Sequence, residues 1–152
     1  GLFEIIARRA DSFEAQAITW RPDRLSPSFH GRDLFAPVAA ALARGGDAAM
    51  PATTAIADNA WRQPDWPDDL AQVIYLDHFG NAITGLRAEK LSANQQIQVN
   101  GDSLSRARTF SEVPMHQAFW YENANGLVEI AVNQGNAARD LGLSLGHSVR
   151  LI

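Results

Sequence analysis

Short strand-like segments separated by turn signals fill the second half of the chain, while the first half alternates hydrophobic and polar residues only briefly. The stretch "AQVIYLDHFGNAITGL" predicts two strands about a turn at Phe79-Gly80-Asn81, because period-two patterning on either side of a glycine and an asparagine is hairpin grammar. "QIQVNG", "SRARTFSEV", "AFWYENANGLVEIAVN" and "HSVRLI" extend that grammar at short intervals, and Asn125-Gly126 is the strongest local hairpin signal. A short helical turn is predicted near Ala137 to Leu141.

The first part of the chain reads differently. From Glu14 to Trp20, "EAQAITW" alternates as a strand with Ala15 and Ala17 on one side, and "RPDRLSPS" then breaks any period with proline and serine. From Asp33, "DLFAPVAAALARGG" predicts a helix with Asp33 as its cap, a proline in the first turn and a Gly-Gly stop. The prolines and scattered polar residues of Asp47 to Leu70 predict a connection without elements of its own. The expected organisation is the tail of an α/β domain over 1–46, a linker over 47–70, and a small all-β domain, antiparallel and barrel-like, over 71–152.

Composition narrows the function classes. The chain has 152 residues, 46% of them hydrophobic, enough for a real core. Thirteen Lys+Arg against seventeen Asp+Glu give a formal net charge of −4, which argues against a surface that tracks nucleic acid or anionic lipid. With no cysteine, disulfides, thiolate metal sites and cysteine nucleophiles are excluded. No apolar run approaches the roughly 20 residues of a membrane span, and "GLFEIIARRADSFE" lacks the features of a signal peptide, so a cytoplasmic location is the expectation. Opening at Gly1 rather than methionine, the chain reads as a trimmed piece of something longer.

Two polar clusters are candidates for chemistry. His30, Gly31, Arg32 and Asp33 stand at the predicted helix start, where free N–H groups favour an anion and a histidine can orient or deprotonate water. The same residues would serve equally if Asp33 caps, Arg32 is solvated and His30 packs. Asp77, His78 and Asn81 surround the hairpin turn: a carboxylate there can hold an ammonium, and an asparagine presents the donor and acceptor that read an adenine-like edge. Turns also recruit Asp and Asn simply to bond their own backbone. His30, His78, His116 and His147 show no ordered ligand spacing, so no metal is expected. Phe110, Phe119, Trp120 and Tyr121 could stack on a planar ligand or fill a core. No Walker loop, nucleophile elbow or dinucleotide fingerprint occurs.

In order and together, "SFHGRDLFAPVAAALARG", "VIYLDHFGNAITGL" and "FWYENANGLVEIAVNQGNAARDLGL" resemble signature blocks of the S-adenosyl-L-methionine hydroxide adenosyltransferases, relatives of fluorinase and chlorinase. The resemblance implies an N-terminal α/β domain, a C-terminal β domain, and a homotrimer whose site lies between subunits. It also implies displacement of methionine from C5′ of S-adenosylmethionine by water or hydroxide, giving adenosine and methionine, with no cofactor or metal. By this resemblance His30, with Phe29 beside it, falls on the histidine that positions the water. Gly31 falls where the halogenating relatives carry a halide-binding residue, which argues against halide use.

On the β domain, Asp77 matches the aspartate that meets the methionine amino group, Asn81 the asparagine that bonds adenine, and Phe79 and Phe110 lie beside the ligand. Asn123, Ala124 and Asn125 match a turn commonly Asn-Ser-Asn, whose serine contacts the methionine carboxylate; alanine removes that hydroxyl and shifts the contact to backbone N–H groups or Asn125. Gln134 matches a position that meets adenine through its main chain. The family's aspartate and arginine partners of the histidine have no counterpart here, which implies about a hundred further residues upstream and about half a site in this chain. The alternatives from other classes are a non-catalytic module binding an adenosyl ligand or a protein, and a halide-using adenosyltransferase.

Overall fold

The computed structural model describes residues 3–45, 51–57 and 60–152 and divides the chain into two compact units, Gly1–Trp66 and Pro67–Ile152. In the first unit, helix α1 (Glu4–Arg9) places Glu4 in its first turn and Arg8 and Arg9 in its last, matching the helix dipole. Its patterning is too short to stand out in the sequence, and a buried charge fixes it instead. Glu4 is fully buried and accepts from Arg8 Nε at 2.7 Å, Arg62 Nε at 3.0 Å and the Gln63 N–H at 2.9 Å. The Gln63 N–H, followed by the two guanidinium groups, holds the Glu4 carboxyl below its ordinary range against the opposing effect of burial.

Strand β1 (Gln16–Ile18) pairs antiparallel with β2 (Thr53–Ala55). The stretch expected to be a bare connection thus contributes a strand, while residues 46–50 and 58–59 of it lie outside the described residues. The helix begins earlier than predicted. Gly31–Phe35 form a π-helical turn that continues into α2 (Ala36–Arg44), which ends at Gly45 with φ +66°.

The second unit contains two antiparallel sheets. Strands β3 (Leu70–Leu76), β4 (Ala82–Arg87), β7 (Ala118–Glu122) and β8 (Leu127–Val132) form one in the order β3-β4-β8-β7; β5 (Ile97–Val99), β6 (Asp102–Leu104) and β9 (Arg150–Leu151) form the other in the order β6-β5-β9. Alternate residues Ala82 and Leu86 on β4, Val128, Ile130 and Val132 on β8, and Trp120 on β7 point into one core with Ile97, Val99 and Leu104. Trp120 is completely enclosed and its indole N–H donates to the Gln95 carbonyl at 3.1 Å. On the opposite face of the larger sheet Phe119, Ala131 and Val113 make a smaller cluster joined by Tyr121. β8 is therefore buried on both faces, which explains its nearly unbroken apolar run.

The barrel expectation is corrected. The outer edge of β3 is met by an isolated bridge between Gln72 and Ser148, and that of β7 by a parallel bridge to Arg106. Short irregular segments cover the edges, so the sheets stay open. "SRARTFSEV" is correspondingly no continuous strand: beyond the Arg106 bridge it turns into a 3-10 helix at Phe110–Glu112. Helix α3 (Ala137–Asp140) occupies the predicted helical turn, capped by Asn136 Oδ1 accepting from the Arg139 N–H at 2.8 Å.

Candidate functional site

The β3–β4 turn is held by Asp77. Its Oδ1 accepts from the N–H groups of Phe79 at 2.9 Å and Asn81 at 2.8 Å, and its Oδ2 from Asn81 Nδ2 at 3.0 Å. Asp77 thus bonds its own backbone, as turn aspartates do, and in the same act orients the Asn81 amide. Gly80 sits at φ +87°, and a Cβ there would lie 2.1 Å from Asn136 Nδ2. Only glycine allows Asn136 and the start of α3 to close on the turn, where the Ala138 N–H donates to the Gly80 carbonyl at 2.8 Å.

Beside this turn opens a cavity of about 440 Å³ lined by five of the expected residues, Asp77, Phe79, Asn81, Phe110 and Gln134, a volume suited to a small-molecule ligand. Phe79 is 74% exposed, and Gln134 adopts the left-handed φ of +55° that turns the chain beyond β8. Phe110 stands edge-on to Phe119 and Tyr121, with ring centroids 5.0 and 5.6 Å away. The remaining wall includes Tyr121, which the sequence offered only as an aromatic that could stack on a ligand or fill a core, and Glu129, which it did not single out. Glu129 is buried, at 6% exposure, and accepts from the Tyr121 hydroxyl and, at 3.0 Å, from Asn123 Nδ2. Burial, then the Glu129 carboxylate, with Asp77 adding in the same direction, push the Tyr121 phenol well above its ordinary pKa. Tyr121 is therefore a standing hydrogen-bond donor.

Comparison with known proteins gives this geometry its context. A profile of the SAM hydroxide adenosyltransferase C-terminal domain matches residues 71–150, and one of the N-terminal domain of the same enzymes matches residues 1–51. The chain belongs to the SAM hydroxide adenosyltransferase family. Among members of the family, it is 37% identical over 141 residues to an (R)-S-adenosyl-L-methionine hydrolase of Salinispora arenicola, covering 87% of this chain and 53% of that protein. An (R)-S-adenosyl-L-methionine hydrolase of Thermus thermophilus is 37% identical over 137 residues, covering 88% and 51%. The chain spans about half the length of these curated relatives. A crystal structure of a conserved hypothetical protein from Thermus thermophilus superposes with a TM-score of 0.59 at 38% identity, over 81% of this chain and 52% of that one. An uncharacterised conserved protein from Thermotoga maritima shares the fold, with a TM-score of 0.71 at 24% identity over 100% and 64%.

The other residues singled out by resemblance to this adenosyltransferase family form no part of the 440 Å³ cavity's wall. Asn123 braces the β7–β8 turn, its Oδ1 accepting from the N–H groups of Asn125 at 2.9 Å and Leu127 at 3.0 Å. Ala124 and Asn125 are exposed, and Ala124 borders a separate polar depression with Arg106 and Arg108. Phe29, His30 and Gly31 belong to the first unit and are all exposed. His30 occupies the N-cap position without a side-chain cap bond, so Asp33 is not the cap. Asp33 instead lies inside the first turn, where it accepts from the Ser26 N–H at 3.1 Å and pairs with Arg32, whose guanidinium stacks 4.8 Å from the Phe29 ring. A Cβ on Gly31 would meet nothing within 4 Å, so packing does not require glycine there.

An apolar cavity of about 380 Å³ in the first unit, lined by Phe3, Ile6, Phe13, Ile56 and Trp61, holds none of the candidate residues. Among the described residues no three His, Asp or Glu side chains are grouped to hold a metal ion, and no helix is long and apolar enough to cross a membrane. Glu129 had one sequence signal, a lone carboxylate inside "LVEIAV". Tyr121 was visible only as one of four aromatics that could stack on a ligand or fill a core.

Proposed function

We propose that the protein carrying this chain hydrolyses S-adenosyl-L-methionine, in the R configuration at sulfur, to adenosine and L-methionine. The observation that carries this reading is the 37% identity to proteins named for that reaction, supported by the cavity that gathers Asp77, Asn81, Phe79, Phe110 and Gln134. A water or hydroxide oxygen bonds to C5′ while the C5′–S bond breaks; the electron pair goes to sulfur, giving the neutral thioether of methionine, and the proton of the attacking water passes to solvent. A sulfonium is already a good leaving group, so the protein's task is to align and desolvate the nucleophile. The reaction so written needs no metal or organic cofactor.

In this reading His30 orients the attacking water and Gly31 leaves no halide-binding side chain. Asp77 meets the amino group of the methionine moiety, Asn81 the adenine edge, and Phe79 and Phe110 flank the base. Gln134 reaches adenine through its backbone, and the turn Asn123–Ala124–Asn125, whose Asn123 and Asn125 N–H groups are already bonded within the turn, approaches the carboxylate through the Ala124 N–H or the Asn125 side chain. The working form is a cytoplasmic homotrimer with sites shared between subunits. The test incubates the protein, expressed from its own gene, with each sulfonium epimer of S-adenosylmethionine, with and without chloride. Adenosine from the R epimer, unaffected by chloride, is expected. No adenosine, or only a chlorinated nucleoside, refutes the reading.

A further inference from the structure

Glu129 is the least expected group in the cavity. It sits at the middle of β8, in register with Ile83 on one side and Tyr121 on the other, where every neighbouring β8 position is apolar. Both carboxylate oxygens accept hydrogen bonds, one from the Tyr121 hydroxyl and one from Asn123 Nδ2, the pattern of an ionised carboxylate. Both donors are neutral. Among the described residues Glu129 forms no ion pair, and none of the residues lining the cavity is Lys, Arg or His, although Asp77 adds a second carboxylate. A buried charge satisfied only by neutral donors keeps a large part of its desolvation cost. A cation entering the cavity would offset that cost, and a neutral molecule of the same shape would not.

We propose that Glu129 is a specificity-determining residue that selects a positively charged ligand, the sulfonium form of a 5′-adenosyl thioether, over its neutral counterparts. This rests on the proposed S-adenosylmethionine reading and names the feature of the substrate by which the site recognises it. Tyr121 and Asn123 act as positioning residues: each fixes one oxygen of the carboxylate, and the raised phenol pKa keeps Tyr121 a donor. The preference also suits the reaction, because both products have lost the sulfonium charge and leave a site whose field no longer holds them.

The variant Glu129→Gln separates charge from shape. A glutamine can accept from Asn123 Nδ2 through Oε1 and donate through Nε2 to the Tyr121 hydroxyl, which rotates to accept, so both hydrogen bonds survive while the charge is lost. Calorimetric binding of S-adenosylmethionine, S-adenosylhomocysteine and adenosine is measured for the protein expressed from its own gene and for the variant. The wild type is expected to prefer the sulfonium over the thioether by about tenfold or more, the order that one facing charge confers at partly buried sites. In Glu129→Gln that ratio falls towards one, with adenosine binding changed less than about twofold. Equal binding of sulfonium and thioether by the wild type overturns the inference even where adenosine is produced, and so does a parallel loss of all three ligands in the variant. Charge-selective binding without turnover supports the inference and refutes the hydrolase reading alone. No binding of any of the three refutes both.

Discussion

Replacing Asp77 in two ways separates its work in the fold from its work on a ligand. In Asp77→Ala three hydrogen bonds disappear, two from backbone N–H groups and one from Asn81 Nδ2. The Phe79 N–H is exposed and recovers a bond to water, but Asn81 is 8% exposed and its amide is left without its acceptor. A buried donor stranded in this way costs about 1–3 kcal/mol, and hydrogen bonds to a charged acceptor contribute about 1.5–3 kcal/mol each. Discounting the solvent-recovered bond, the expected loss is about 2–4 kcal/mol, read as a lower urea midpoint by far-ultraviolet circular dichroism. In Asp77→Asn, Oδ1 keeps both backbone bonds and only the contact to Asn81 Nδ2 becomes donor against donor, so the loss is about 1 kcal/mol. Binding follows the opposite logic: the asparagine variant, though nearly as stable as wild type, loses the charge proposed to meet the ligand ammonium, and its affinity for S-adenosylmethionine is expected to fall at least about tenfold. Equal destabilisation by both variants would show that the turn does not depend on Oδ1, and wild-type affinity in Asp77→Asn would remove Asp77 from ligand recognition.

Other expectations follow from single contacts. Because the Glu4 carboxyl is held below its ordinary range by the Gln63 N–H and two arginines, its contribution is complete above the unfolded carboxylate pKa and is lost as pH falls through the lowered folded value. Glu4→Gln should therefore lower the thermal midpoint at neutral pH, with the gap to wild type closing in acid. Gly80→Ala combines a left-handed backbone, at about 1–2 kcal/mol, with displacement of Asn136; thermal unfolding should show at least that loss, and adding Asn136→Gly should restore the part due to the clash less the few tenths of a kcal/mol that loss of the α3 cap costs. His30 is exposed and makes no side-chain cap bond, so His30→Ala should leave the unfolding midpoint unchanged while lowering turnover of S-adenosylmethionine far more than binding; a parallel fall in both would make His30 a binding residue.

The strands were legible wherever one face is buried and the other is not. β4 alternates Ala82, Thr84 and Leu86 inward, and the hairpin turns at Asn81 and at Asn125-Gly126 stand where the residues placed them. That the sheets stay open instead of closing into a barrel was not legible, because closure depends on edge pairing between distant segments, and here isolated bridges from Arg106 and Ser148 occupy the edges. Helix α1 escaped notice because a six-residue helix has almost no period to read, and its reason for existing, Glu4 enclosed by Arg8, Arg62 and Gln63, spans 59 positions of sequence. At the site, Asp77, Asn81 and Phe79 were readable as one turn. Glu129 was not, and Tyr121 was readable only as an aromatic and not as the carboxylate's donor, since their meaning comes from cross-strand register, which sets them opposite each other on the face that carries the cavity.

The doubly buried β8 strand has a consequence for how this protein can be engineered and how it has been constrained. At position 129 a leucine would suit the apolar run of the strand, and pairing it with Tyr121→Phe would remove one of the two donors that then lack an acceptor, the other being Asn123 Nδ2. Replacing a buried polar group and its partner by apolar residues of similar volume is often neutral or stabilising. On the proposed reading, the carboxylate at the centre of the sheet is a place where the chain gives up robustness for ligand selection. A search for hardier variants guided by stability alone would converge on the one strand whose optimisation leaves Asp77 as the sole carboxylate among the described residues lining the pocket.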